Sequence, residues 1–236
     1  MAFADSQFRS MRSAGASSAA DVRSFLNRVF LWMTAGLAIT GATSLWVVST
    51  PAVMMAVLQN RLVFYGLMIA ELVMVMAFSA VVRRAGAMAA AGMFLAYAFL
   101  NGLTLSIIFL VYTSGSLAST FFITAGTFGA MSVFGAVTKR DLSSWGSFLF
   151  MGLIGVVLAS VVNIFIGSSM LSWVMSCAGV LVFTGLTAYD TQRIAAMAYE
   201  GGNADGSPAA INGALRLYLD FINLFLSLLR LFGDRR

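Results

Sequence analysis

A chain of 236 residues that is 60% hydrophobic and 10% charged, with 14 Lys and Arg against 9 Asp and Glu, falls far short of the roughly 25% charge typical of soluble domains. This composition excludes a disordered chain and argues against a soluble nucleic-acid binder despite the net charge of +5, so the basic excess is read as membrane topology. One cysteine, Cys177, and no histidine exclude an intrachain disulfide, a Cys-rich metal site and imidazole chemistry, which leaves any proton sensing to carboxylates.

Residues 1–27 read as a flexible cytoplasmic tail, and 28–236 as a seven-helix transmembrane domain. A bilayer core of about 30 Å needs roughly 20 apolar residues per helix. Seven stretches qualify: 28–48, 62–82, 88–112, 117–137, 145–166, 171–189 and 215–232. The runs are continuously apolar, without the alternation of a membrane β-barrel, so the predicted class is an all-α polytopic membrane protein. The first run is too long for a signal-peptide core and is read as retained. Asp5, Asp21 and the direct passage into a span argue against a transit peptide.

The excess of Lys and Arg normally stays in the cytoplasm. Arg9, Arg12, Arg23, Arg28, Arg83, Arg84, Lys139, Arg140 and Arg193 lie on one side, against Arg61, Arg230, Arg235 and Arg236 on the other, with Arg216 inside the last span. The expected orientation has the N-terminus in the cytoplasm and the C-terminus outside. The basic C-terminus is a counter-signal, and a re-entrant last segment would return it to the inner side.

Ionisable residues at membrane depth cost about 2.5–3.5 kcal/mol each on insertion scales, so each is a functional candidate. Glu71 lies midway along the second span, Asp190 ends the sixth, and Arg216 and Asp220 lie in the seventh. In the seventh, Asn212, Arg216, Asp220, Asn223 and Ser227 recur every three or four residues and form one polar stripe. Lipid cannot accept that stripe, which predicts this helix at the centre of the bundle. A packing role, with Arg216 paired to Asp220 at i,i+4, is the plainer alternative.

The breaker-rich stretch 200–208 is read as the turn joining the last two spans. Asp190 and Asp220 are symmetric about position 205, so an antiparallel hairpin would bring the two carboxylates together. Two such neighbours cannot both ionise cheaply and are expected to share a proton. Deprotonation would then push the helices apart and leave oxygen ligands for a hard cation such as Ca²⁺, in a weak site completed by water, carbonyls or residues such as Asn223. Arg83 and Arg84 are candidate counter-charges or plain topology residues, and Arg216 is a third. Glu71 has no evident partner and is a candidate pore-lining residue. The pairs Ala125/Gly129 and Gly155/Ala159 would allow close helix approach, and Asn101 and Asn163 can bond across helices.

Four segments, NGLTLS at 101–106, TKRDLSSWGSFLFMGLIG at 138–155, GLTAYDTQRI at 185–194 and ALRLYLDFINLFLSLLRLFG at 214–233, resemble the Bax inhibitor-1 family, the transmembrane BAX inhibitor motif proteins, over most of the chain. The resemblance implies a last helix surrounded by six others. It also implies a pH-sensitive calcium leak sensed by an aspartate pair that maps to Asp190 and Asp220. Family members carry an acidic residue in the second helix, matched by Glu71, and an arginine at that helix's cytoplasmic end that contacts the pair. Counted from Glu71, that position falls on Val82, with Arg83 adjacent. The motif pattern is similar to bacterial members, which implies the plasma (inner) membrane.

The leading expectation is therefore a non-enzymatic, passive cation leak with Ca²⁺ as the permeant ion, no cofactor, and the lipid bilayer as its surroundings. A regulatory protein that binds a quality-control protease or stress and cell-death factors through the N-terminal tail is the alternative. An intramembrane aspartyl protease is more remote. Tyr189-Asp190 fits its first motif, but such enzymes keep glycines before the second aspartate, where this chain has Leu217, Tyr218 and Leu219.

Overall fold

The computed structural model describes residues 19–199 and 208–236. Seven long helices run through them: α1 (Ala19–Ser49), α2 (Arg61–Val82), α3 (Gly86–Val111), α4 (Ser114–Val137), α5 (Ser143–Ile166), α6 (Ser169–Tyr199) and α7 (Pro208–Phe232). The first six are long and apolar enough to cross a membrane. α7 is not one of these six, and it carries Arg216, Asp220 and Arg230. The expected tail and the turn between the last two helices fall largely outside the described residues. Residues 19–27, assigned to the tail from sequence, are instead the opening turns of α1. Val22, Phe25, Val29 and Met33 recur at helical spacing and are buried, so the core-facing stripe begins before the apolar run does.

Local chemistry sets the helix ends. The Asn60 side chain accepts the backbone N–H groups of Leu62 and Val63 at 3.1 and 3.4 Å and caps α2, and Thr113 accepts the N–H of Ser116 at 3.3 Å to cap α4. α2 and α3 meet at Gly86, whose φ of 80° and ψ of −177° belong to a region open to glycine alone. Gly167 ends α5 in the left-handed conformation, its N–H bonded to the Asn163 carbonyl at 2.8 Å. Asn163 also donates to Ser172 on the next helix at 2.7 Å.

α7 is buried at most positions along its length and packs against α6, α1, α4 and the α2–α3 pair. α5 packs on α6 and has little direct contact with α7. α2 and α5 are the outermost helices. α7 runs through the middle of the bundle. Beyond its C-terminal end, Thr113 and Arg236 donate to the Asp234 and Val111 carbonyls at 3.1 and 2.9 Å, and Arg235 lies 6.0 Å from the centre of the Tyr112 ring. The C-terminus is thereby tied to the α3–α4 connector, at the end of the bundle opposite Pro208.

The closest helix approaches are made by glycines other than the expected ones. A side chain on Gly129 or Gly155 would meet nothing within 4 Å, so the small-residue pairs read from sequence do not mark crossings. Such spacing is abundant in apolar helices and carries little information about which face is used. Real crossings occur where a Cβ on Gly135 would run into the Ala188 carbonyl, and where one on Gly102 would lie 2.7 Å from the Thr40 carbonyl. Gly135→Ala is accordingly expected to destabilise the protein by about 1–3 kcal/mol, while Gly129→Ala leaves it unchanged or slightly more stable. Thermal unfolding of the two variants in detergent, side by side, checks the assignment of the crossings.

Candidate functional site: a carboxyl pair beside the central helix

α6 and α7 form the most extensive helix pair in the bundle. Gly179 faces Ser227, where a Cβ would lie 2.5 Å from the hydroxyl, and Gly213 faces Ile194, where it would lie 3.3 Å from the side chain. The midpoints of these pairings fall near position 203 rather than 205, so the hairpin is shifted by about one turn from the symmetric arrangement. Arg216 therefore lies opposite Asp190, with its guanidinium 3.7 Å from the carboxylate. Asp220 sits one turn further along and borders the same cavity as Asp190.

Asp190 and Asp220 are 8% and 5% exposed. They border a cavity of about 570 Å³ shared with Tyr189, Arg193, Arg216 and Asn223, and closed on its other side by α5 through Gly146 and Phe150. One oxygen of Asp220, Oδ2, is buried and meets no donor. Two like charges in one buried cavity would repel strongly. Asn223 lines the same cavity with its amide donating to the Leu219 carbonyl at 2.8 Å.

The cations at the pair are Arg216 and Arg193. Sequence reasoning counted Arg193 only as a topology residue, although its position three residues after Asp190 places it on the same helix face. Arg84 is exposed and does not border the cavity. The Arg83 side chain lies outside the described residues. Val82, at the position implied for the family's arginine, packs against the apolar core. Among the described residues no group of three or more His, Cys, Asp or Glu side chains assembles. A cation at the pair would therefore find two carboxyl groups, with Arg216 close enough to oppose it.

Glu71 belongs to a second polar system on the other side of α7. Its carboxylate accepts from Thr104 Oγ1 at 2.7 Å and from Asn101 Nδ2 at 3.2 Å. Asn101 Oδ1 accepts from the Tyr218 hydroxyl at 3.0 Å, and that hydroxyl is hydrogen-bonded to Thr40 Oγ1 at 2.7 Å. α1, α2, α3 and α7 are thus joined by one buried chain of polar groups. Tyr218 and Asp220 are two positions apart and so about 200° apart around the helix, which separates Glu71 from the aspartate pair. The partners Thr40, Thr104 and Tyr218 were not found from sequence. A hydroxyl in a membrane helix usually bonds its own backbone, as Thr40 and Thr104 also do at 3.0 and 3.1 Å, and nothing in the local pattern marks those that reach a second helix as well.

Residues 22–236 match the family described as Inhibitor of apoptosis-promoting Bax1 (Bax1-I). The chain is 49% identical over 220 residues to the inner membrane protein YbhL of Escherichia coli K12, covering 92% of this chain and 94% of that protein. It belongs to the Bax inhibitor-1 family. An uncharacterized protein of Deinococcus radiodurans is 43% identical over 91% of this chain and 92% of its own. One from Borreliella burgdorferi is 42% identical over 90% and 92%. The carboxyl pair and the Glu71 network are therefore features of a Bax inhibitor-1 membrane protein, set on opposite faces of its last helix.

Removing the Tyr218 hydroxyl separates the two systems experimentally. Tyr218→Phe is expected to lower stability by about 1 kcal/mol, a fall of about 2–4 °C in melting temperature, and to leave the aspartate cavity unaltered. Thermal unfolding in detergent measures the first, and an unchanged dependence of the melting temperature on pH the second.

Proposed function

We propose that this Bax inhibitor-1 protein is a pH-sensitive cation leak with Ca²⁺ as its permeant ion, gated by Asp190 and Asp220. The observation that carries the reading is a buried carboxyl pair bordering a cavity, with one Asp220 oxygen lacking a donor. With one proton between them the carboxyl groups attract and draw α6 and α7 together. Loss of that proton leaves two like charges in a site of low dielectric, where repulsion is strong. The helices then separate and the cavity extends into a path. The ion is cargo and dwells only weakly at the pair, since two carboxylates and Asn223 fall short of the six to eight oxygens of a tight Ca²⁺ cage. In this reading the basic end of the bundle, with the N-terminus, faces the cytoplasm.

Proteolysis gains no support from the geometry. Leu217 and Tyr218 are fully buried beside Asp220, so a peptide backbone has no approach from that side.

The reading is tested with purified protein in liposomes loaded with a calcium-sensitive dye and subjected to pH steps. Wild type is expected to show flux that rises with pH, and the Asp190→Asn/Asp220→Asn double variant a flux that no longer responds. Identical traces from the two proteins would remove the carboxyl pair from the gate.

A further inference from the structure

A second cavity, of about 550 Å³, lies at the basic end of the bundle, where the connector between α4 and α5 crosses α6. Lys139 and Arg140 from the connector and Arg193 from α6 line it, together with Ser143, Tyr189 and Gln192. Gln192 holds the connector in place with both ends of its amide. Its oxygen accepts the Leu142 N–H at 2.9 Å, and its nitrogen donates to the Arg140 carbonyl at 2.8 Å. Asp141 is the single acid in the lining. It is occupied by the N–H of Ser143 at 2.8 Å, and its hydrogen bonds to Ser143 hold its carboxyl below the usual range. Among the described residues none of the three cations forms a salt bridge. Three positive charges against one carboxylate thus surround a polar pocket whose backbone is fixed.

A third cavity adjoins this one. α4 and α5 flank α6 with little direct contact between them, and the gap is an apolar pocket of about 350 Å³ lined by Met131, Phe134, Trp145, Leu149 and, from α6, Gly185 and Ala188. It shares Arg140, Asp141 and Tyr189 with the basic pocket. A cationic, hydrogen-bonding chamber at the water boundary therefore opens into an apolar chamber between two spans. That order of polarity matches one phospholipid molecule, with its headgroup phosphate outward and the first part of an acyl chain inward. A free phosphate or a nucleotide would use only the first chamber. Trp145, 60% exposed at the junction, belongs to the residue class enriched at headgroup depth.

We infer that Lys139, Arg140 and Arg193 bind the phosphate of an anionic phospholipid whose acyl chain enters the groove between α4 and α5. Basic pockets between spans on the positively charged side are established sites for anionic headgroups in membrane proteins generally. Arg193 and Tyr189 border both this pocket and the aspartate cavity, so the bound lipid would sit one side chain away from the carboxyl pair.

The test uses the full-length protein in detergent, with phosphatidylglycerol, phosphatidylcholine or inorganic phosphate added to separate samples. Phosphatidylglycerol at about ten times its dissociation constant is expected to raise the melting temperature by about 3–6 °C, with phosphatidylcholine and inorganic phosphate well below it. Lys139→Gln/Arg140→Gln/Arg193→Gln is expected to lose the shift, and Lys139→Gln/Arg140→Gln, which leaves the aspartate cavity untouched, to lose most of it. Arg235→Gln/Arg236→Gln, at the opposite end of the bundle, should keep it. Retention of the full shift in both Lys139/Arg140 variants would overturn the site, and an equal shift with inorganic phosphate alone would overturn its assignment to a lipid.

Discussion

A helix that carries Arg216, Asp220 and Asn223 along its length cannot face hydrocarbon, because each exposed polar group would forfeit its hydration without replacement. The rest of the bundle answers that constraint. α7 is enclosed by α6, α1, α4 and the α2–α3 pair, while α2 and α5, which bury least, face outward. Enclosure demands close approach, and glycines supply it: Gly179 and Gly213 make room for the Ser227 and Ile194 side chains between α6 and α7, and Gly135 lets α4 meet the Ala188 backbone of α6. Helix association in a bilayer lacks the hydrophobic drive available in water and relies on such packing and on interhelical hydrogen bonds.

The two faces of α7 differ in how completely their polar groups are satisfied. Toward α1, α2 and α3, the hydroxyl of Tyr218 reaches Asn101 and Thr40, and Glu71 has a donor for each oxygen. Tyr218 is also wedged edge-on between Phe94 and Tyr97, with ring centres 5.8 and 5.9 Å away. A buried network with every member paired rigidifies its surroundings. Toward α5 and α6, Asp220 keeps one buried oxygen without a donor and shares its cavity with a second carboxyl group and two guanidinium groups. An incompletely paired buried group is where a change of one proton alters the balance of forces. One face of the helix is fully paired, and the other is not.

The positive charge at the pair comes from the same two helices. Arg216 lies on the same helix as Asp220 and reaches Asp190 across the hairpin at 3.7 Å, and Arg193 lies on the same helix as Asp190. The ion pair between Arg216 and Asp190 therefore links α6 to α7, and any parting of the two helices would have to break it.

The all-α class, the positions of the first six spans and the membrane setting were legible along the chain, because each follows from a one-dimensional property: apolar run length and the breaker residues between runs. The polar stripe on α7 was legible for the same reason, since helical periodicity converts spacing directly into a shared face. The early start of α1 was hidden, because a core stripe in a polar context raises no apolar run. The one-turn shift that sets Arg216 opposite Asp190 depends on which glycines touch across the hairpin, and the partners of Glu71 depend on which hydroxyls also reach a neighbouring helix. Those are relations between segments far apart in the chain, decided by packing in three dimensions, and no local spacing encodes them.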